Sequence, residues 1–150
     1  MPNSKPSDDK LRLIVESYQR LTGKPLIPLV PSDADELRIA LWEAPRAIVA
    51  HGTEADPIFF YGNCLALQWF EMTAEEFAQL PSRLSAEPMV QQARVDLLEK
   101  VMRHGYVDGY AGIRIAKSGK RFMISDATVW NLLDEMGGFH GQAAVFVSGA

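Results

Sequence analysis

Two side chains in this sequence stand where they could react, Cys64 and Asp126. Cys64 follows Asn63 at the expected start of a short helix, CLALQWF, and a helix N-terminus favours the reactive thiolate. Asp126 interrupts an otherwise apolar strand, where a carboxylate in a pocket can act as a general base. Both also have structural interpretations, which we favour. Cys64 would pack as a small apolar side chain, and Asp126 would lie at a solvated bend or bond to a neighbouring strand.

The three histidines do not form a metal-binding pattern. His51, His104 and His140 stand singly, whereas a structural zinc site uses four nitrogen or sulfur ligands, some of them close in sequence. The sequence also has no phosphate-binding GxGxxG or GxxxxGK loop, no GxSxG elbow, no HExxH and no CxxC. We therefore expect neither a metal centre nor a nucleotide-binding or hydrolytic site.

A binding pocket is the remaining kind of site, because aromatic and methionine side chains are frequent and such pockets are mostly apolar with a few polar groups. The same residues would serve equally well in a packed core, so both interpretations stay open. Asn63 is expected to hold the start of its helix, and Asn63→Ala is expected to lose about 1 kcal/mol. The candidate pocket residues are Phe59, Tyr61, Asn63, Leu67, Met89, Met123 and Trp130.

The size and charge of the chain limit the function classes. With 150 residues, 47% of them hydrophobic and 23% charged, the chain is expected to form one globular domain. A net charge of −4 and a pI near 5.3 argue against nucleic acid as a partner. Apolar runs are shorter than the ~20 residues that span a bilayer. No secretion signal is present, and a single cysteine cannot form an internal disulfide. We expect a cytoplasmic protein without membrane contact.

Helical periodicity near the N-terminus predicts two helices. The first is amphipathic, is capped by Asp8 or Asp9, and ends at Gly23. The second begins at a capping-box-like pair, Ser32 and Asp35, and ends before the segment PRAIVA. Residues 1–46 are therefore predicted to form an N-terminal helical extension.

Residues 47–150 are predicted to form the main domain. The expected elements are strands at 47–50 and 57–61, short helices in CLALQWF and TAEEFAQL, a longer helix at 89–103, and three strands joined by KSGK and DEMGG. Strands and helices do not alternate regularly, so the pattern indicates an α+β domain that ends in an antiparallel meander.

The middle strand of this meander is apolar on both faces. Strict alternation places Phe122, Ile124 and Trp130 on one face and Met123, Ala127 and Val129 on the other. A strand of this kind is expected to be covered on both sides. We expect the mid-chain helices to cover one face, and the N-terminal helix or a second subunit to cover the other.

From residue 47 onward the sequence resembles a PAS domain. The strand IFFYGN ends in an aromatic residue, a spacer and Asn63, Thr73 caps a helix with Glu75 and Glu76, and glycine turns join the last three strands. More narrowly, the blocks SYQRLTGKPL, HGTEADPIFFYGN, LPSRLSAEP, KSGKRF and ATVWNLLDE are similar to bacterial stand-alone proteins of the PAS-like MEKHLA domain family. The resemblance implies a curved five-stranded antiparallel sheet with helices on one face, a scaffold that binds small molecules, relays signals or pairs subunits.

The same resemblance argues against light sensing through a cysteinyl flavin adduct. Flavin-binding PAS domains carry their reactive cysteine after the Glu-Glu helix, whereas Cys64 precedes that helix and Ser82 stands at the matching place. Serine lacks the easily ionised sulfur that this chemistry uses. Haem-binding members use a histidine on or near the long helix, and His104 is expected to lie too far along it to reach the cavity.

We therefore expect a non-enzymatic PAS-like sensory or small-molecule-binding module, with a small apolar or aromatic ligand between sheet and helices and no cofactor that the sequence specifies. Because the sequence ends just past the last strand, a signal is expected to pass to a separate partner or through a homodimer formed by the N-terminal helix or the outer sheet face. Two alternatives remain. One is a ligand-free protein-protein interaction domain; the other is a cofactor-independent isomerase or hydrolase with Asp126 as base and Tyr61 or Tyr110 as donor.

Overall fold

The computed structural model describes residues 7–28, 33–85 and 91–148. Within these ranges the elements are α1 (Asp8–Thr22), α2 (Ala34–Trp42), β1 (Ala47–His51), β2 (Phe59–Gly62), α3 (Cys64–Phe70), α4 (Ala74–Phe77), a 3-10 helix (Ser82–Ser85), α5 (Gln91–His104), β3 (Tyr106–Ile115), β4 (Arg121–Leu133) and β5 (Phe139–Ser148). None of the helices in the described ranges is long and apolar enough to cross a membrane.

The strands form one sheet in the order β2-β1-β5-β4-β3, and each neighbouring pair is antiparallel. The last three strands follow one another as the predicted meander, and β5 then pairs with β1, which joins the first hairpin to the C-terminal ribbon. The predicted α+β fold with a five-stranded antiparallel sheet is confirmed.

The outer face of the sheet, as we name it, is covered by α1 and α2 of the same chain. Leu11 and Ile14 of α1 are fully buried in one cluster with Trp130, Leu132 and Val145 of the sheet. Burying a leucine or isoleucine in this way contributes about 1.5–3 kcal/mol per side chain. The N-terminal helix itself is thus the cover that the sequence predicted for this face.

The inner face is covered by the helices from the middle of the chain. Phe70 of α3 and Phe77 of α4 pack with Ile124 and Phe146 of the sheet. α5 adds Val101, which contacts a smaller cluster around Val129. Because the outer cluster also contains residues from α1 and α2, the core is continuous across residue 46, and the division into 1–46 and 47–150 stays a prediction about domain organisation.

Side-chain caps fix where the helices begin. Asn63 caps α3 and Thr73 forms a capping box with Glu76 at α4, as predicted. Two other predictions were wrong about the residue. Ser7 caps α1 instead of Asp8 or Asp9, and Asp33 caps α2 by accepting from the first amides of that helix. Aspartate and serine both satisfy these amides, so spacing alone did not distinguish neighbours. Ser32 lies outside the described residues.

β-Bulges decide which residues share a face. Between Ser125 and Thr128, β4 has one residue more than β5, and Asp126 sits there with a positive φ of 52°. Every residue after a bulge changes sides relative to strict alternation. The predicted face assignment for β4 was therefore wrong. Phe122, Ile124, Ala127 and Val129 contact the inner clusters, while Trp130 belongs to the outer one.

Candidate functional site

A cavity of about 80 Å³ lies on the inner face of the sheet. Most of its wall is apolar and comes from the sheet and from helices α3 and α5. The apolar lining residues include Val49, Phe59, Ile124, Val129, Ala144, Phe146, Phe70 and Leu97. An apolar cavity with a few polar groups is the usual form of a small-molecule site.

Three buried polar residues, Ser82, Ser85 and Gln142, also line this cavity. The Ser85 hydroxyl donates to the Ser82 carbonyl at 2.6 Å, which holds both serines on the 3-10 helix. Gln142, only 4% exposed, projects from β5. Hydroxyl and amide groups both donate and accept, so these residues can orient a polar ligand in an otherwise apolar site.

Gln142 connects the cavity to the end of α5 by hydrogen bonds. Its Nε2 donates to Asn131 Oδ1 at 3.1 Å, and Asn131 Nδ2 donates to the Val101 carbonyl at 3.0 Å. The backbone N–H of Asn131 also donates to the Gly105 carbonyl at 2.9 Å. A buried series of hydrogen bonds is rigid when every polar group in it is bonded. Breaking one bond leaves a buried group without a partner, which lowers the free energy of unfolding by about 1–3 kcal/mol.

Positive charge lies at the edge of the cavity. Arg114 lines it with its guanidinium 5.7 Å from the centre of the Tyr110 ring, and Arg114 Nη1 donates to the Ile113 carbonyl. His51 lines the opposite side, and its Nδ1 lies 3.0 Å from the Gly52 carbonyl oxygen. A guanidinium beside hydroxyl and amide groups favours a ligand with an acceptor oxygen.

The size of the cavity limits what it can hold. Drug-sized and cofactor-sized ligands occupy pockets of about 300–1,000 Å³. A water molecule needs only about 10–15 Å³ measured in the same way. A cavity of about 80 Å³ therefore fits a molecule of a few non-hydrogen atoms and is too small for a flavin or a haem.

The sequence-predicted pocket residues are spread over both faces. Phe59 lines the cavity and stacks on Phe77 with ring centres 4.3 Å apart, and Leu67 packs in the same inner cluster. Met123 is 43% exposed and Trp130 packs on α1, so neither contributes to the inner cavity. Met89 lies outside the described residues.

Tyr61 was expected beside Phe59, but it lies in the outer cluster. Ala50 pairs with Tyr61, but the next residue of β1, His51, pairs with Phe59, so Phe60 is an extra residue in β2. As a result, Phe59 and Tyr61 face opposite sides of the sheet. A bulge of one residue has the same effect here as in β4.

Asn63 is buried at a junction of four segments. Its Oδ1 accepts from the amides of Ile48 and Ala66, at 3.0 and 3.2 Å. Its Nδ2 donates to the carbonyls of Leu41 and Arg46, at 3.0 and 2.9 Å. Both donors and both acceptor positions are used, so Asn63 joins the end of α2 to β1 and α3 as well as capping α3.

The remaining candidates for chemistry have structural positions. Asp126 is exposed at the bulge and does not line the cavity, so the alternative that gave it the role of a buried base lacks the burial it required. Cys64 is half-buried in the first turn of α3, where Gln68 Nε2 lies 3.4 Å from its Sγ. His140 pairs with Asp134 at 2.8 Å. Among the residues that the structure describes, no group of three or more His, Cys, Asp or Glu could hold a metal ion.

Ser85, Arg114 and Gln142 were not selected from the sequence. For Gln142 a signal was present: in HGQAAVFV it has the same strand parity as Ala144 and Phe146, which both face inward. A polar residue on the buried side of a strand is a reason to expect a hydrogen-bonding site. Ser85 and Arg114 have no comparable pattern.

The Tyr61 hydroxyl is buried, and none of the residues that the structure describes offers it a hydrogen-bond partner. Replacing Tyr61 by phenylalanine is therefore expected to raise the free energy of unfolding by about 1 kcal/mol at neutral pH, because the desolvation penalty disappears. Burial also raises the pKa of Tyr61, which the Arg38 guanidinium partly offsets.

This shift predicts a pH dependence with a definite sign. The protonated phenol is favoured in the folded state, so wild-type stability is kept below the unfolded-state pKa of about 10 and lost as the pH rises above it. Thermal melts between about pH 8 and 11 should show wild type losing more stability than Tyr61→Phe. Parallel curves for the two proteins would contradict the buried, unpaired hydroxyl.

The sequence matches the family model of the MEKHLA domain over residues 8–149. A homeobox-leucine zipper protein of Arabidopsis thaliana, ATHB-9, is 27% identical over 152 residues, which cover 99% of this chain and 18% of that protein. The homeobox-leucine zipper protein HOX10 of Oryza sativa subsp. indica is 26% identical over 138 residues, which cover 91% and 16%. The chain thus spans less than a fifth of the length of these relatives.

Solved structures share the fold. The PAS domain of a protein from Colwellia psychrerythraea has a TM-score of 0.66 at 16% identity, over 77% of this chain and 97% of that one. A light-oxygen-voltage domain studied with a flavin analogue has a TM-score of 0.63 at 18% identity, over 77% and 85%. At these identities the likeness concerns the fold alone. Since the family model covers both the N-terminal helices and the PAS-like sheet, the chain belongs to the MEKHLA domain family.

Proposed function

We propose that this PAS-like domain is a sensory module that binds a molecule of a few non-hydrogen atoms in the inner cavity. The observation that carries the proposal is the combination of a mostly apolar wall with the buried polar groups of Ser82, Ser85 and Gln142. An occupant is therefore expected to be small and to carry at least one hydrogen-bonding group. The proposed ligand is therefore smaller and more polar than the small apolar or aromatic molecule expected from the sequence.

A bound ligand would affect the end of α5 through the hydrogen bonds of Gln142. A ligand that bonds to the Gln142 amide competes with Asn131 for that amide, and Asn131 holds the carbonyl of Val101 near the end of α5. If these hydrogen bonds break or become stronger, the stability of the junction between α5 and β3 changes. A differential contact of this kind is what a ligand needs in order to shift a conformational equilibrium.

A titration followed by NMR tests this function. Acetate, acetamide and imidazole are small enough for the cavity, and at least one is expected to shift the side-chain amide signals of Gln142 and Asn131 in a saturable way. Ala144→Leu fills the cavity from β5 and should abolish the response while the protein stays folded. Ala111→Leu, on an exposed position of β3, is the matched control. If none of the three shifts these signals, or if Ala144→Leu responds like wild type, the proposal is wrong.

We further propose that a homodimer, if it transmits the signal, uses the outer face of β3 and β4. Most apolar residues of α1 are buried against the sheet of their own chain, and Leu13 and Leu21 are partly buried in the same cluster, so that helix offers little apolar surface to a partner. Ile113 and Met123 pair across these strands, and each is 43% exposed. This part of the outer face is therefore the surface that supports the predicted dimer.

A further inference from the structure

A groove with exposed apolar residues lies between α2 and α4, beside the edge strand β2, away from the inner cavity. Ile39 and Trp42, one helical turn apart on α2, are 56% and 40% exposed. Phe60 of β2 also lines the groove, and Ala74 of α4 leaves the opposite wall open because its side chain is small. We refer to this feature as the α2–α4 groove.

The dimensions of the α2–α4 groove suit bulky side chains. Its volume is about 460 Å³, several times that of the inner cavity. Tryptophan is enriched among the few residues that contribute most of the binding energy of a protein interface, and these residues cluster near its centre. Exposed tryptophan and isoleucine beside an open groove thus favour a macromolecular partner.

The charges around the groove favour a basic partner. Arg38 forms an ion pair with Asp8 of α1 at 2.7 Å, so its charge is already compensated. Glu43, which caps the end of α2, and Glu75 of α4 line the groove, and both are exposed. A second cation, Lys10, lies with its ammonium 4.7 Å from the centre of the Phe60 ring, which lines the groove. With the Arg38–Asp8 pair neutral, Glu43 and Glu75 outweigh Lys10, so the rim keeps a net negative charge. Such complementarity selects partners and speeds their association.

The backbone of β2 argues for a helix rather than an added strand. The Phe59 amide, on the outer edge of β2, already donates to the Leu80 carbonyl at 3.0 Å, and Ile58 pairs with Pro81. A peptide that docks as an extra strand would need this edge free. Two helices that flank an apolar floor instead form the type of groove that accepts an amphipathic helix.

We infer that the α2–α4 groove binds an amphipathic helix of a partner protein that presents bulky apolar side chains flanked by lysine or arginine. Trp42 and Ile39 contact the apolar stripe of that helix, and Glu43 and Glu75 face its basic flanks. This inference is independent of whether the inner cavity binds a ligand.

Binding of synthetic helical peptides to the full chain tests the inference. The probe is a peptide of about four helical turns that carries leucine along one stripe and lysine elsewhere, and its counterpart replaces every lysine by glutamate. Fluorescence anisotropy should show saturable binding of the lysine peptide and at least about tenfold weaker binding of the glutamate peptide. Trp42→Ala should weaken the lysine peptide about tenfold, a typical loss for a central tryptophan.

Two further variants separate the groove from general surface charge. Met102→Ala changes another exposed apolar residue, on α5, and should leave the affinity unchanged. A double change, Glu43→Gln with Glu75→Gln, should reduce the affinity for the lysine peptide and flatten its salt dependence. Because Ile39 is more exposed than Trp42, Ile39→Ser provides a second groove variant if Trp42→Ala lowers the thermal stability.

The inference is overturned if Trp42→Ala and Met102→Ala behave alike, or if both peptides bind equally well. Self-association of the wild type that Trp42→Ala abolishes would also overturn it, because the occupant would then be a second copy of this chain. Sedimentation velocity without peptide distinguishes that outcome.

Discussion

Asn63→Ala is expected to lower the free energy of unfolding by about 3–5 kcal/mol, several times the ~1 kcal/mol of a helix cap alone. Alanine removes the partner of the buried amides of Ile48 and Ala66, of the buried Leu41 carbonyl and of the partly buried Arg46 carbonyl. Each buried group left without a partner contributes about 1–3 kcal/mol of destabilisation, and relaxation recovers part of the sum. Urea unfolding at neutral pH measures the effect.

Asn63→Asp provides a matched control of nearly the same shape. A carboxylate keeps the acceptor for the two amides but turns a second oxygen toward the carbonyls of Leu41 and Arg46, in place of the two donors. We expect a loss at neutral pH at least as large as for alanine, partly reversed in acid because a protonated carboxyl donates one bond. A loss of 1 kcal/mol or less in Asn63→Ala would mean that Asn63 acts only as the cap of α3.

Trp130→Ala is expected to destabilise the protein by about 3–5 kcal/mol and to loosen α1 from the sheet. Trp130 is fully buried, its Nε1 donates to the Ile14 carbonyl at 3.2 Å, and its ring meets Tyr18 edge-on with centres 4.8 Å apart. Alanine removes these contacts from the middle of the interface between α1 and β4. Hydrogen exchange should show that the amides of α1 lose protection before those of β4.

Trp130→Phe separates the hydrogen bond from the packing. It keeps most of the apolar surface but loses the bond to Ile14 and the volume of three ring atoms, so its effect should be about 1–2 kcal/mol, well below that of Trp130→Ala. The sequence pattern had placed Trp130 beside the inner cavity. If that were correct, both variants would alter binding in the cavity and leave the protection of α1 unchanged.

Local sequence signals were enough to predict most elements of the fold. Helical spacing and glycine stops located α1, and Asn63 and Thr73 marked the starts of α3 and α4 because cap preferences act through atoms within a few residues. Apolar residues on both sides of β4 predicted that both faces are covered, one by the mid-chain helices and the other by the N-terminal helix or a second subunit. These signals depend on neighbours along the chain, so the sequence carries them directly.

The assignment of residues to faces could not be derived in the same way. One extra residue at Asp126 moves Trp130 to the outer face, and the shift beside Phe60 separates Tyr61 from Phe59. A bulge depends on how two strands pair, and strict alternation assumes that it is absent. The pocket residues were therefore partly misplaced although the strands that carry them were correct.

The hydrogen bonds of Asn63 and Gln142 could not be predicted from the sequence either. The sequence indicated a cap at Asn63, but its bonds to Leu41, Arg46 and Ile48 join segments that only tertiary structure brings together. Gln142 meets Asn131 across β4 and β5 for the same reason. The sequence signal for long-range hydrogen bonds of this type is only a polar residue at a position where the pattern predicts an apolar one.

Native mass spectrometry of the purified protein tests the central claim, that the inner cavity holds a small molecule. The same spectrum shows whether the protein is a monomer or a dimer. Wild type is expected to carry an added mass of a few non-hydrogen atoms that disappears on unfolding, and Ala144→Leu is expected to lack it. Wild type without added mass, or Ala144→Leu with the same added mass as wild type, would contradict the claim.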